Sequence, residues 1–127
     1  MKRFTSMLTN NKMENIKNVI KLVEEYFSSS VSSFQVETEE DAQEFFIDCL
    51  IYRSYWIQLS LTDVEKGGVF NIDVSIGKNT ALYSLIENGE DLSIYFDKDS
   101  VYKNLTILDN YLKWRMTDEQ KRTFNIL

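Results

Sequence analysis

Two alternating stretches either side of an adjacent glycine pair restrict what this chain can fold into more than any other feature. Tyr55, Ile57, Leu59 and Leu61 fall on one side of the first, with Trp56, Gln58, Ser60 and Thr62 on the other. Beyond Gly67 and Gly68, the residues Phe70, Ile72, Val74 and Ile76 alternate with Asn71, Asp73 and Ser75. A period of two belongs to a strand with one face buried. With the glycines as central turn residues, Leu61 faces Val74 and Leu59 faces Ile76, so the apolar sets share a face. Asn88-Gly89 is a second hairpin signal, pairing Leu85 with Leu92, Tyr83 with Ile94 and Ala81 with Phe96. Leu82, Leu85 and Ile86 also suit a helix over residues 81–87, and the pairing arithmetic favours strand.

Helical spacing frames these strands. Met13, Ile16, Ile20, Val23 and Phe27 recur at steps of three and four, with Asn10 or Asn11 as cap and Ser28, Ser29 and Ser30 as terminator. Val31–Glu37 reads as an extended link or short strand. Thr38 with Asp41 resembles a capping box, which predicts a second helix with Ala42, Phe45, Phe46, Cys49 and Leu50 on its apolar face. Asp41, Glu44 and Asp48 would then share another, exposed stripe. Ser100 is the expected cap of a last helix with Val101, Leu105, Leu108, Tyr111 and Leu112 inward, followed by a short turn of helix or a tail over residues 117–124. The chain holds no proline, so no stiff linker divides it, and its 127 residues predict one domain. The expected fold is α+β: two N-terminal helices, a four-stranded antiparallel β-meander and a C-terminal helix, with the helices on one sheet face.

Composition removes most site chemistry. There is no histidine, which excludes Ser-His-Asp and Cys-His catalysis and every imidazole-bearing zinc site. The single Cys49 has no partner for an internal disulfide and is expected to be a core residue. Asp97 and Asp99 begin like a calcium loop, but Val101, Tyr102 and Leu108 stand where ligands, glycine and glutamate are needed. No glycine-rich phosphate cradle occurs. No catalytic residue, metal or cofactor is therefore expected, and the chain is expected not to be an enzyme. The first nine residues lack a sustained apolar run and no membrane span is present, so a cytoplasmic protein is expected.

Charge says more. The net charge of −6 argues against nucleic acid and anionic membranes as partners. Residues 1–21 carry five bases against one acid, whereas residues 24–48 carry eight acids and no base. Such a run is commonly a solvated face, but solvated helices more often interleave signs, and an uncompensated acidic face attracts a basic protein. Trp56, Gln58, Asn71, Asp73, Leu82, Ser84, Ser93 and Tyr95 are expected on the sheet face away from the helices, a mixture suited to contact with a partner.

The stretches from Asn71 to Gly77 (NIDVSIG), 81–84 (ALYS) and 92–95 (LSIY) are similar to the strand, glycine, strand pattern in the sheet of immunity proteins of bacterial contact-dependent and polymorphic toxin systems. That resemblance implies one-to-one binding of a cognate toxin domain, often a nuclease. The expected function is a non-enzymatic inhibitor of a basic toxin domain, with Asp41, Glu44 and Asp48 for charge complementarity and Trp56, Asp73 and Tyr95 as anchors on the sheet. The rival expectation is a phage or mobile-element assembly module that homodimerises through the sheet face.

Overall fold

Asn11 opens the first helix by accepting the Glu14 N–H on its side-chain oxygen at 3.2 Å, and in the computed structural model, which describes residues 6–87 and 89–126, that helix is α1, Lys12–Phe27. Its buried stripe is Ile16, Val19, Leu22, Val23 and Phe27, while Met13 turns to solvent. Five strands follow: β1 (Val31–Glu37), β2 (Phe45–Ile51), β3 (Tyr55–Thr62), β4 (Val69–Ser75) and β5 (Asn79–Ala81). They form one antiparallel sheet in chain order. Helix α2 (Lys98–Arg115) and the short α3 (Asp118–Thr123) close the chain. The expected α+β class is what forms. Among the described residues, however, one helix precedes the sheet, two follow it, and the meander has five strands.

The second N-terminal helix is the main correction. The segment FFIDCLI is β2, burying Phe45, Ile47, Cys49 and Ile51 and turning Phe46, Asp48 and Leu50 outward. A helical stripe leaves Ile47 and Ile51 outside the core, whereas a strand buries both. Burial of those two side chains outweighs the capping signal at Thr38, whose hydroxyl instead donates to the Glu44 carbonyl at 2.7 Å across the β1–β2 loop. The β2–β3 turn escaped notice because it holds no glycine: Tyr52 and Arg53 both adopt left-handed φ, 53° and 54°. Such backbone costs about 1 kcal/mol or more per residue. Tertiary contacts hold it. The Tyr52 ring lies edge-on to Phe27 and Phe124, and its hydroxyl donates to buried Asp109 Oδ1 at 2.6 Å. Asp109 also accepts from Tyr26 and pairs with Lys113 at 3.0 Å.

The β3–β4 hairpin forms with Leu61 opposite Phe70, Leu59 opposite Ile72 and Ile57 opposite Val74. Its partners differ from the expected ones by four residues because residues 63–68 make a longer turn, including a 3-10 helix at Val64–Lys66. An even shift keeps every side chain on its expected face. The hairpin expected at Asn88-Gly89 does not form, and Asn88 itself lies outside the described residues. On the β4 edge away from β3, Asn79–Ala81 pair as β5, after which Leu82–Ser84 make a 3-10 turn that buries Leu82 and exposes Tyr83. Gly89 has a packing role: a Cβ there would stand 2.8 Å from both the Tyr83 ring and its carbonyl. Farther along, the Phe70 N–H donates to the Ile94 carbonyl at 2.9 Å, so the chain at Ile94 meets the other end of the β4 edge. Asp97, rather than Ser100, caps α2, accepting from the Ser100 N–H at 2.8 Å.

The core lies between the inner sheet face and the stripes of α1 and α2, where Val19, Val23, Ile47, Ile57, Leu59, Val74, Leu105 and Leu108 are all buried. Ile47→Ala is expected to cost about 3 kcal/mol in urea unfolding, the size of a core cavity, while its neighbour Asp48→Asn stays within about 0.5 kcal/mol. Similar small losses for both would place Ile47 outside the core. Burial pushes the Cys49 thiol from 9.0 up to about 12, the Asp48 carboxylate adding to the effect. The unfolded chain ionises first, so stability present below pH 9 is lost as pH rises toward 12. Cys49→Ala should abolish the part of that decline beginning near pH 9. It should leave the decline above pH 10 due to Tyr52, whose hydroxyl is pushed up by burial and by donation to Asp109.

Candidate protein-binding surface

Strand parity decides what the outer face carries. Since Ile47, Ile57, Ile72 and their inward neighbours must be buried, the alternate residues point away from the helices. A row crosses the whole sheet through the paired positions Gln35, Asp48, Gln58, Asp73 and Ala81. Gln58 Nε2 donates to Asp48 Oδ1 at 3.1 Å. Toward the β2–β3 turn lie Leu50 and, paired with it, Trp56, whose side chain is 43% exposed. Toward the opposite end lie Glu37, Phe46, Ser60 and Asn71. Three of the expected site residues, Asp48, Trp56 and Asp73, therefore share one solvent-facing surface, Asp48 from a strand and not from the predicted helix.

The other three are elsewhere. Asp41 and Glu44 lie in the β1–β2 loop, at the end of the sheet remote from Trp56, so the stripe of three carboxylates on one helix does not exist. Tyr95 is 69% exposed beside Ser6 and Gly67, next to the β3–β4 turn and away from Trp56. Of the further residues expected outward, Leu82 is fully buried. Sequence reasoning missed Gln35, Phe46 and Leu50 on the outer face, because β1 and β2 were not paired. It also missed Trp114, 79% exposed, which with Leu85, Ile86, Ile107 and Tyr111 lines a hollow of about 540 Å³ in the helical layer. Its only signal was a tryptophan lying off the buried stripe of α2.

The acids of this region make no ion pair among the described residues. Among the described residues the one ion pair is Lys113 with Asp109, so none of Glu37, Glu39, Glu40, Asp41, Glu44, Asp48 or Asp73 has a lysine or arginine within 4.0 Å. Lys12 reaches the β1–β2 loop, but its ammonium donates to the backbone carbonyls of Glu39 and Glu40, at 2.8 and 3.5 Å. Among the described residues, no three acidic or thiol side chains converge as a metal-holding group, and no helix is long and apolar enough to cross a membrane.

Burial raises the Asp73 carboxyl above its ordinary value of 3.8. A carboxyl with a raised folded value contributes its full stability only below the unfolded value and loses it as pH rises. Asp73→Asn is therefore expected to raise the melting temperature at pH 7 by about 1–2 °C, with the gain closing as pH falls through the carboxylate range. A gain that persists at low pH would show that ionisation is not its source. Compared with known proteins, the chain matches no family model, no curated protein and no solved structure.

Proposed function

We propose that this chain is a cytoplasmic, non-enzymatic inhibitor of the immunity-protein kind, which binds a basic toxin domain one-to-one through the outer face of its sheet. One observation carries this. Asp48, Trp56 and Asp73 stand together on a solvent-facing sheet surface with no cationic side chain of the described chain against them. A protein that needed these acids only for solubility would lose nothing by interleaving lysines, whereas a surface meant for a basic partner must keep them free. The β1–β2 loop, with Glu39, Glu40 and Asp41 exposed, adds a field that draws in such a partner over longer range. Trp56, Leu50 and Phe46 supply the apolar contact that slows dissociation. A nuclease domain, basic because it grips phosphates, is the kind of toxin this charge would suit. Pairing two copies of this chain across the same face sets carboxylates against carboxylates, which disfavours the homodimer.

Capture on the immobilised chain from lysate of its native cell should retain one basic polypeptide in equimolar amount. The variant combining Asp48→Asn, Trp56→Leu and Asp73→Asn should lose it while keeping its circular dichroism. Equal retention by both proteins, or retention of nothing basic, removes the inhibitor from consideration. For the retained partner, Asp41→Asn with Glu44→Gln should slow association several-fold at low salt and hardly at all at high salt.

A further inference from the structure

The outer face is not flat. Gln35, Asp48, Trp56, Ser75 and Asn79, one residue from each of the five strands, line a shallow, open hollow of about 270 Å³. Resting on the proposal that this face meets a basic protein, we infer that the hollow receives an arginine side chain of that partner.

The chemistry of the walls selects the guest. Asp48 supplies a carboxylate whose Oδ1 already accepts from Gln58, which fixes its orientation; Oδ2 accepts from none of the described residues. Trp56 supplies an indole face, partly open to solvent, on the next strand. Gln35, Ser75 and Asn79 add neutral polar groups around the rim, whose amide and hydroxyl oxygens are able to accept. A group that uses all of these must be cationic, flat enough to lie on an indole, and able to present several N–H donors in one plane. Guanidinium has these properties: its fork matches carboxylate and amide oxygens, and its weakly hydrated face stacks on aromatic rings. A lysine ammonium is a compact, strongly hydrated charge that would pair with Asp48 but cannot lie flat on Trp56 or present a planar fork to the amides. A neutral sugar would stack on Trp56 but make no use of the uncompensated charge.

The backbone is shaped toward the same end. Between Ser32 and Gln35 the β1–β2 register shifts, so Ser33 and Phe34 together oppose Cys49, with Ser33 at a left-handed φ of 60°. Without that bulge, the register set by Val31 and Ile51 would bring Phe34 beside Asp48. With it, the neighbour is Gln35, and an acceptor replaces a phenyl ring in the wall.

The test uses the full chain carrying Trp114→Phe, so that the indole signal reports Trp56 alone. Titration with an oligo-arginine peptide and with an oligo-lysine peptide of equal length compares two guests of equal charge. The arginine peptide should bind about fivefold more tightly and perturb the Trp56 fluorescence. Trp56→Leu, read by calorimetry and checked for an unchanged fold by circular dichroism, should bring the two affinities within about twofold, and Asp48→Asn should weaken both. Equal affinities in the parent, or an arginine preference that survives Trp56→Leu, would overturn the assignment. So would a neutral oligosaccharide that perturbs Trp56 as strongly as arginine, or self-association that perturbs it without any peptide. The outcome is separable from the inhibitor proposal. A natural partner held equally well by Trp56→Leu removes the arginine pocket alone, whereas an arginine preference with no natural basic partner removes the inhibitor alone.

Discussion

Burial of one side of the antiparallel sheet beneath α1 and α2 is the constraint from which the rest of this molecule follows. Ile47, Ile57 and Val74 are at most 1% exposed, and each fully buried aliphatic side chain contributes about 1.5–3 kcal/mol relative to solvent. Because successive strand residues point to opposite sides, fixing these fixes Asp48, Gln58 and Asp73 on the other side with equal firmness. Slipping β2 or β4 by one residue to hide a carboxylate would expose a whole row of core residues. The acidic outer surface is therefore held in place by hydrophobic burial beneath it, through backbone it shares with the core.

Irregular segments are pinned by a second device. Asn15 and Asn104, both buried, each use one side-chain amide to bond both backbone groups of a single residue. Asn15 accepts from and donates to Thr9 at 2.9 and 3.1 Å, and Asn104 does the same to Ser93 at 3.0 and 2.6 Å. In this way chain without regular structure is joined to α1 and α2 while its polar groups stay satisfied. The Tyr52–Asp109 hydrogen bond plays the corresponding part for the β2–β3 turn: a buried carboxylate with Tyr52, Tyr26 and Lys113 around it draws the turn against α2. No buried side-chain nitrogen or oxygen among the described residues is left without a partner.

Which parts of this were legible in the sequence follows from the same physics. The strands β3 and β4 were readable because each alternates apolar and polar residues, and even a four-residue error in register left their faces correct. The strand β2 was not. Its outward positions include Phe46 and Leu50, so the period of two is blurred, and the acids ahead of it imitate a helix start. Glycine was a mixed guide: Gly67 and Gly68 marked a real reversal, Gly89 makes room for Tyr83, and the three-residue β2–β3 turn is made by Tyr52 and Arg53, without glycine, under tertiary restraint. For the candidate surface, Trp56 and Asp73 were found through parity. Asp48 was found through charge although the wrong element was assigned to it. Gln35 was invisible, since its place beside Asp48 depends on the Ser33 bulge, and single left-handed serines leave no pattern in a sequence.

The position of Asp73 carries a cost for the free chain. Burial raises its carboxyl, and at neutral pH an ionised group there is a burden that asparagine, of nearly the same shape, would relieve. Gln58, between the two aspartates, orients Asp48 through a hydrogen bond and neutralises neither. Two carboxylates share one sheet face without a cation among the described residues, and the one raised by burial, Asp73, detracts from the stability of the isolated chain. A guanidinium or ammonium brought to this face would meet a carboxylate already oriented by Gln58 and would displace no cation of the described residues. In the proposed complex the feature that weakens the free protein would strengthen the bound one, a balance expected of a binding surface and not of a solubilising one.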